Sequence, residues 1–207
     1  MCILAVAGLI SGCASVSVRE AQFLINDYQN EVQKNVSVLP FIDAREDKME
    51  DLSDFLSTKV IQTEYVVKPL KQRGYVSCIF KYDIGGCGSL ADIRDINDVP
   101  CLSGLIAQNE GMILLISVDR YAAPEGKLGL SGNIQVSGIL YSGKAKKIIW
   151  KDTFDSDRGG AYFKMFGLGG ITGGLLLKAM NPNFIFRTNV FTAVGELLKS
   201  IPPLFVP

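Results

Sequence analysis

The run Met112-Ile-Leu-Leu-Ile-Ser-Val118 constrains the fold more than any other stretch of the chain. A short, nearly continuous apolar segment of this kind reads as a β-strand buried on both faces. Such a strand sits inside a sheet, with other elements packed over it. The residues around it supply both sheet and cover. Asn35-Val-Ser-Val-Leu-Pro-Phe-Ile42 is β-branched and mostly apolar and predicts a strand, with Pro40 at its exit. Leu52, Phe55, Leu56 and Val60 then recur at helical spacing. Tyr65 to Gln72 predicts a second helical piece, interrupted by Pro69 and ended by Gly74 in the C′ role. Tyr75 to Tyr82 reads as the next strand, and Val76 to Phe80 within it as an apolar run. Gly85 to Pro100 is a polar loop, and Cys101 to Asn109 a short helix.

After the central strand, Ser131 to Tyr141 alternates, with Ile134, Val136 and Leu140 on one side and Gln135 and Ser137 on the other. Ser142-Gly-Lys144 makes a turn, and Lys147 to Phe154 returns with Ile148, Trp150 and Phe154 on one face. Trp150 is expected in the hairpin core and Tyr141 at its rim. Phe184 to Ile201 predicts a last helix with an apolar stripe of Val190, Phe191, Val194, Leu197 and Leu198, stopped by Pro202-Pro203. The predicted fold is α+β: a single mixed β-sheet with helices packed against it, in the order β-α-β-α-β-β-β-α.

Composition narrows the chemistry. Lys+Arg and Asp+Glu are both 21, so no basic surplus points to nucleic acid. The chain has no histidine, which excludes a Ser-His-Asp triad, a Cys-His pair and histidine-ligated zinc or haem. Gly129-Leu-Ser-Gly132 is not a nucleophile elbow, so Ser131 reads as a turn residue. Asp43, Glu46, Asp47, Glu50, Asp51 and Asp54 form an acidic cluster without Ca²⁺-loop spacing, and Arg45 and Lys48 lie among them. A solvated, charged turn is expected there. No catalytic residue, metal or cofactor is assigned, and the chain is read as not an enzyme.

The amino-terminal segment speaks to location. Met1 to Val18 carries no charge, and Ile3 to Ile10 is an apolar run. That run is too short for a membrane-spanning helix of about 20 residues and has the length of a signal-peptide core. Ile10-Ser-Gly-Cys13 follows and resembles a bacterial lipobox: an aliphatic residue, two small residues, then cysteine. The resemblance implies cleavage before Cys13 and acylation there, palmitate included. Several acyl chains anchor firmly where one binds only marginally. Ala14, where aspartate would retain such a lipoprotein in the inner membrane, implies the outer membrane, facing the periplasm. The usual Lys/Arg start of a signal peptide is absent and Cys2 stands in its place, which leaves a start upstream of Met1 open. Residues 1–12 are thus expected to be a signal peptide, 13–34 a lipid-anchored tether and 35–203 the folded domain.

With Cys13 acylated, Cys78, Cys87 and Cys101 remain, at spacings that fit no CxxC motif. The expected compartment allows one disulfide. Cys87 and Cys101 flank the polar loop and are the preferred pair, and Cys78 is expected as a buried thiol. The alternative is that all three are buried and reduced.

Met165 to Leu177 is a glycine-rich apolar segment bracketed by Lys164 and Lys178. It fits neither a dinucleotide-binding glycine pattern nor a P-loop. Gly169/Gly173 and Gly170/Gly174 form two overlapping GxxxG pairs, a spacing that lets backbones approach closely. As a helix its length is about 20 Å, short of a bilayer's hydrocarbon core of about 30 Å. Two readings stand: a glycine-rich buried loop or short core helix, or a membrane or oligomer contact through Phe166, Gly169, Gly170, Gly173, Gly174 and Leu176.

Several stretches resemble a group of small bacterial envelope domains. Val36-Ser-Val-Leu-Pro-Phe41 resembles their opening strand, and Leu70 to Tyr75 their helix end before a strand. Glu110 to Val118 resembles their central strand, and Leu140 to Trp150, with Gly143-Lys144 and Ile149-Trp150, their hairpin. The group includes the periplasmic domain of the curli-secretion lipoprotein CsgG, the amino-terminal domain of TolB and the exopolysaccharide-export lipoprotein PelC. The resemblance covers residues 35–155 and 184–203, with 85–101 and 158–182 looking like insertions. It implies a non-catalytic role in secretion or surface assembly, often in rings, with other envelope proteins or further copies of the chain as partners. Two other readings stay open: a lipoprotein that binds a small apolar ligand in an enclosed cavity, and a hydrolase using facing carboxylates.

Overall fold

The computed structural model describes residues 31–46, 54–56, 58, 62–84, 86–108, 110–122, 133–156 and 184–204. Their strands form one mixed sheet of six: β1 (Asn35–Val38), β2 (Ile42–Asp43), β3 (Val76–Ile79), β4 (Met112–Ala122), β5 (Asn133–Ser142) and β6 (Lys147–Asp155). The order across the sheet is β3-β1-β4-β5-β6, and β2 continues the line of β1 beside β4. β1 pairs in parallel with both β3 and β4, and β4-β5-β6 is an antiparallel meander. The molecule is α+β, a single mixed sheet with helices packed against it.

Two crossovers build the parallel part. From β1 the chain passes through a π-helix (Gln62–Val67) and α1 (Lys68–Gln72) to β3, burying Val66 and Leu70 with Val36 and Val38. From β3 it returns past β1 to β4 through two 3₁₀ turns (Ile96–Asp98 and Pro100–Leu102) and α2 (Ser103–Gln108). Those turns bury Ile96 and Leu102 in a second core, with Ile113 and Leu115. The crossovers run in opposite directions over opposite faces, so they share one hand, as chain chirality demands.

The first face is closed by α3 (Phe184–Leu198). Its buried residues Phe186, Val190, Ala193, Val194, Leu197 and Leu198 repeat at helical spacing. α3 lies close over β5 because Gly138 has no side chain. A Cβ there would stand 3.0 Å from both Leu197 Cδ2 and Trp150 Cη2. The end of α1 is a Schellman motif: Tyr75 N–H donates to Leu70 O and Gly74 N–H to Lys71 O, with Gly74 at φ +90°. This corner holds the carboxyl-terminal segment. Arg73 donates to Ile201 O at 2.5 Å and Lys199 O at 3.0 Å, and Tyr75 Oη donates to Pro202 O at 2.8 Å.

The structure departs from the sequence expectations at several points. The first strand is split, because Pro40 offers no N–H to the ladder; pairing resumes at Ile42–Asp43. Ile148 lies on the face opposite Trp150 and Phe154, since a bulge on β6 between the pairs Leu140–Trp150 and Tyr141–Ile148 inserts Ile149. Tyr141 is buried, not at a rim, because the second core covers it. Phe191 is 44% exposed, although its ring meets Tyr65 edge-on with centroids 4.8 Å apart. Asp43 is not in a solvated turn. It accepts two 2.7 Å hydrogen bonds from Arg45, whose buried guanidinium lies over the Phe186 ring. Glu46 and Asp54 are exposed, while Asp47, Glu50 and Asp51 lie outside the described residues. Cys78 is an exposed thiol: β3 is the edge of the sheet, and the second core does not reach it.

Candidate functional site

The second face of the sheet carries a polar site beneath the connection between β3 and β4. Cys87 and Cys101 are joined by a disulfide, with Cα atoms 5.6 Å apart. Leu90, Ile96, Val99, Leu102 and Leu105 on this connection pack against Ile113, Leu115 and Ile139 of the sheet. The layer has little regular helix, so side chains, not backbone ladders, must fasten it.

Asp119 does the fastening on one side. A bulge between Val118 and Arg120 leaves it unpaired in β4, and such an extra residue re-aims its side chain. Its Oδ1 accepts from Ser89 Oγ and Ser117 Oγ, each at 2.6 Å, and its Oδ2 accepts from Ser137 Oγ at 2.5 Å. Ser137 also shares a 2.9 Å hydrogen bond with Thr153 on β6. Ser117 Oγ accepts from Leu90 N–H at 3.1 Å. One carboxylate thus links the layer to β4 and β5, and through Ser137 to β6. Burial pushes the Asp119 carboxyl above its usual range, and the hydroxyl donors oppose that shift only in part. Nearby, Lys151 Nζ donates to Ile93 O at 2.7 Å. Burial holds its ammonium below the usual lysine range; Arg94 adds to this, and Asp92 and Asp119 oppose it.

The chemistry of this arrangement is that of a clasp. The three hydroxyls direct their protons at one carboxylate, and Asp119 faces hydroxyls where a carboxylate-pair hydrolase would have a second acid. Sequence reasoning did not find it. Its members come from four separate segments, and the one local signal is the polar pair Ser117 and Asp119 closing an apolar run.

Among the residues singled out in the sequence, Cys87 and Cys101 come together in the disulfide. Cys13 and the segment containing Phe166, Gly169, Gly170, Gly173, Gly174 and Leu176 lie outside the described residues, as do residues 1–12, where a signal peptide is expected, and Ser131.

No family model matches the chain, and no curated protein matches it. Among solved structures, it is similar to the PelC dodecamer from Paraburkholderia phytofirmans, with 13% identity and a TM-score of 0.42, over 84% of this chain and 89% of that one. It is also similar to the lipoprotein GNA1162 from Neisseria meningitidis, with 16% identity and a TM-score of 0.35, over 72% of this chain and 99% of that one. Likeness at this level assigns no activity, ligand or partner.

Proposed function

We propose that the chain is an envelope lipoprotein, held in the outer membrane by acyl chains on Cys13, with a non-catalytic structural role in a secretion or surface-assembly complex. The observation that carries this reading is the Cys87–Cys101 disulfide, which closes the layer over the central strands of the sheet's second face. Disulfides of this structural kind belong to oxidising compartments. The lipobox-like Ile10-Ser-Gly-Cys13 is a second, independent pointer to export. The clasp around Asp119 supports a scaffold more than a catalyst, because its polar groups are spent on one another.

The test is mass spectrometry of the protein taken from its own cells, together with membrane fractionation. The expected product begins at an acylated Cys13 and sediments with outer membrane. Cys13→Ser should leave the chain unprocessed and unacylated. An unmodified wild-type chain in the cytosolic fraction would end the proposal.

A further inference from the structure

The outer edge of β3 has no strand beside it among the described residues. In its parallel pairing with β1, Val76 N–H donates to Lys34 O and Phe80 N–H to Val38 O. Alternate residues use the ladder, so the N–H and C=O groups of Ser77 and Ile79 point outward. Edges of this kind are commonly guarded by lysine, proline or a bulge within the strand. Val76-Ser-Cys-Ile-Phe80 contains none of these.

The side chains sharpen the picture. Val76, Cys78 and Phe80 alternate onto one face, that of Ser37 and Ile113, as the pairs Ser37–Cys78 and Ser37–Ile113 show. Val76 is 53% exposed, Phe80 40%, and Cys78 is also exposed. These are an apolar row lying directly beside unused backbone donors and acceptors.

We infer that this edge pairs with the same edge of a second copy of the chain, β3 against β3, antiparallel about a two-fold axis at Cys78. The row is self-complementary in that register. Ser77 and Ile79, whose polar groups point outward, become hydrogen-bonded partners of the other copy's Ile79 and Ser77. Cys78 then faces Cys78 in a non-hydrogen-bonded pair, and Val76 packs against Phe80 twice. Such a pair has Cα atoms about 4.5 Å apart, within the range of about 4.4–6.8 Å that a disulfide spans. The thiol is the reporter of the pairing, not its cause. A ladder this short buries less than the roughly 1,000 Å² of a stable interface. The inference therefore rests on the lipoprotein reading for confinement to a membrane, which raises the effective concentration of copies.

The experiment is diamide treatment of membranes carrying the full-length protein, read on non-reducing gels. Each Cys78 thiol gives up a proton and an electron to diamide, which is reduced to its hydrazine as the disulfide forms. A covalent dimer is expected in the wild type and none in Cys78→Ser. Val76→Lys and Phe80→Lys leave the thiol but should cut dimer yield roughly tenfold, about 1.4 kcal/mol. Ser77→Pro, which removes an outward N–H that β1 does not use, should do the same. Circular dichroism checks that each variant is folded, and the lysine variants carry the test if the proline variant is not. No covalent dimer, or a yield indifferent to the lysine substitutions, overturns the pairing. Fractionation of the same sample keeps the two readings apart. A membrane-bound chain that fails to cross-link refutes the edge alone, whereas a soluble chain refutes the anchoring.

Discussion

At the scale of single residues, Asp119 and Gly138 make the sharpest demands. Burial, the leading influence on Asp119, pushes its carboxyl above the usual carboxylate range. The folded state therefore binds this proton more tightly than the unfolded chain does. Stability from this site is greatest below the unfolded pKa and falls as pH rises through the folded one. Asp119→Asn removes that dependence. Urea unfolding from about pH 4 to pH 7 should show the wild type losing stability relative to the variant as pH rises. A constant difference across the range would contradict the burial effect. Gly138→Ala tests packing. The added methyl meets Trp150 and Leu197 at 3.0 Å, and both are fully buried. Overpacking of this kind costs about 1–3 kcal/mol, readable as a lower urea midpoint. An unchanged midpoint would mean that α3 rides more loosely on β5 than its geometry implies.

At the scale of elements, the covering layer of the second face is the part most open to chemical removal. Its disulfide joins residues separated by 14 positions. Closing a loop of that length contributes about 3 kcal/mol through the unfolded state. The double variant Cys87→Ser/Cys101→Ser should lose about that much. It should also lose amide-exchange protection in residues 90–105 before β4 and β5 do, because the layer has few backbone ladders of its own. Uniform loss of protection would show that layer and sheet unfold as one.

The elements also show what the residues alone disclosed. β4, the hairpin and α3 were legible because periodicity reports burial, and burial built them. The Cys87–Cys101 pairing was legible because both thiols flank one polar loop. Cys78 misled because an apolar run looks the same in the middle of a sheet and at its edge; only topology tells them apart. The bulge at Ile149 misled similarly, since one extra residue reverses every side chain beyond it. The clasp was hidden for another reason. Serines 89 and 117 carry no periodic signal, and the alternation that sets the face of Ser137 does not name its partner. The three meet only because bulged β4, its neighbour β5 and a disulfide-closed loop converge on Asp119.

At the scale of the whole molecule, strand order has a consequence for how the chain comes to be made. β1 is the first strand in the sequence and lies between β3 and β4, yet Val36 finds one neighbour at Ser77 and the other at Met112. A polypeptide that emerges from the ribosome amino terminus first releases this strand long before its second partner exists. Pairings so distant along the chain are slow to close. The nascent chain must wait with this interior strand still lacking its partner in β4. Synthesis is thus the stage at which this protein most needs a chaperone's hold.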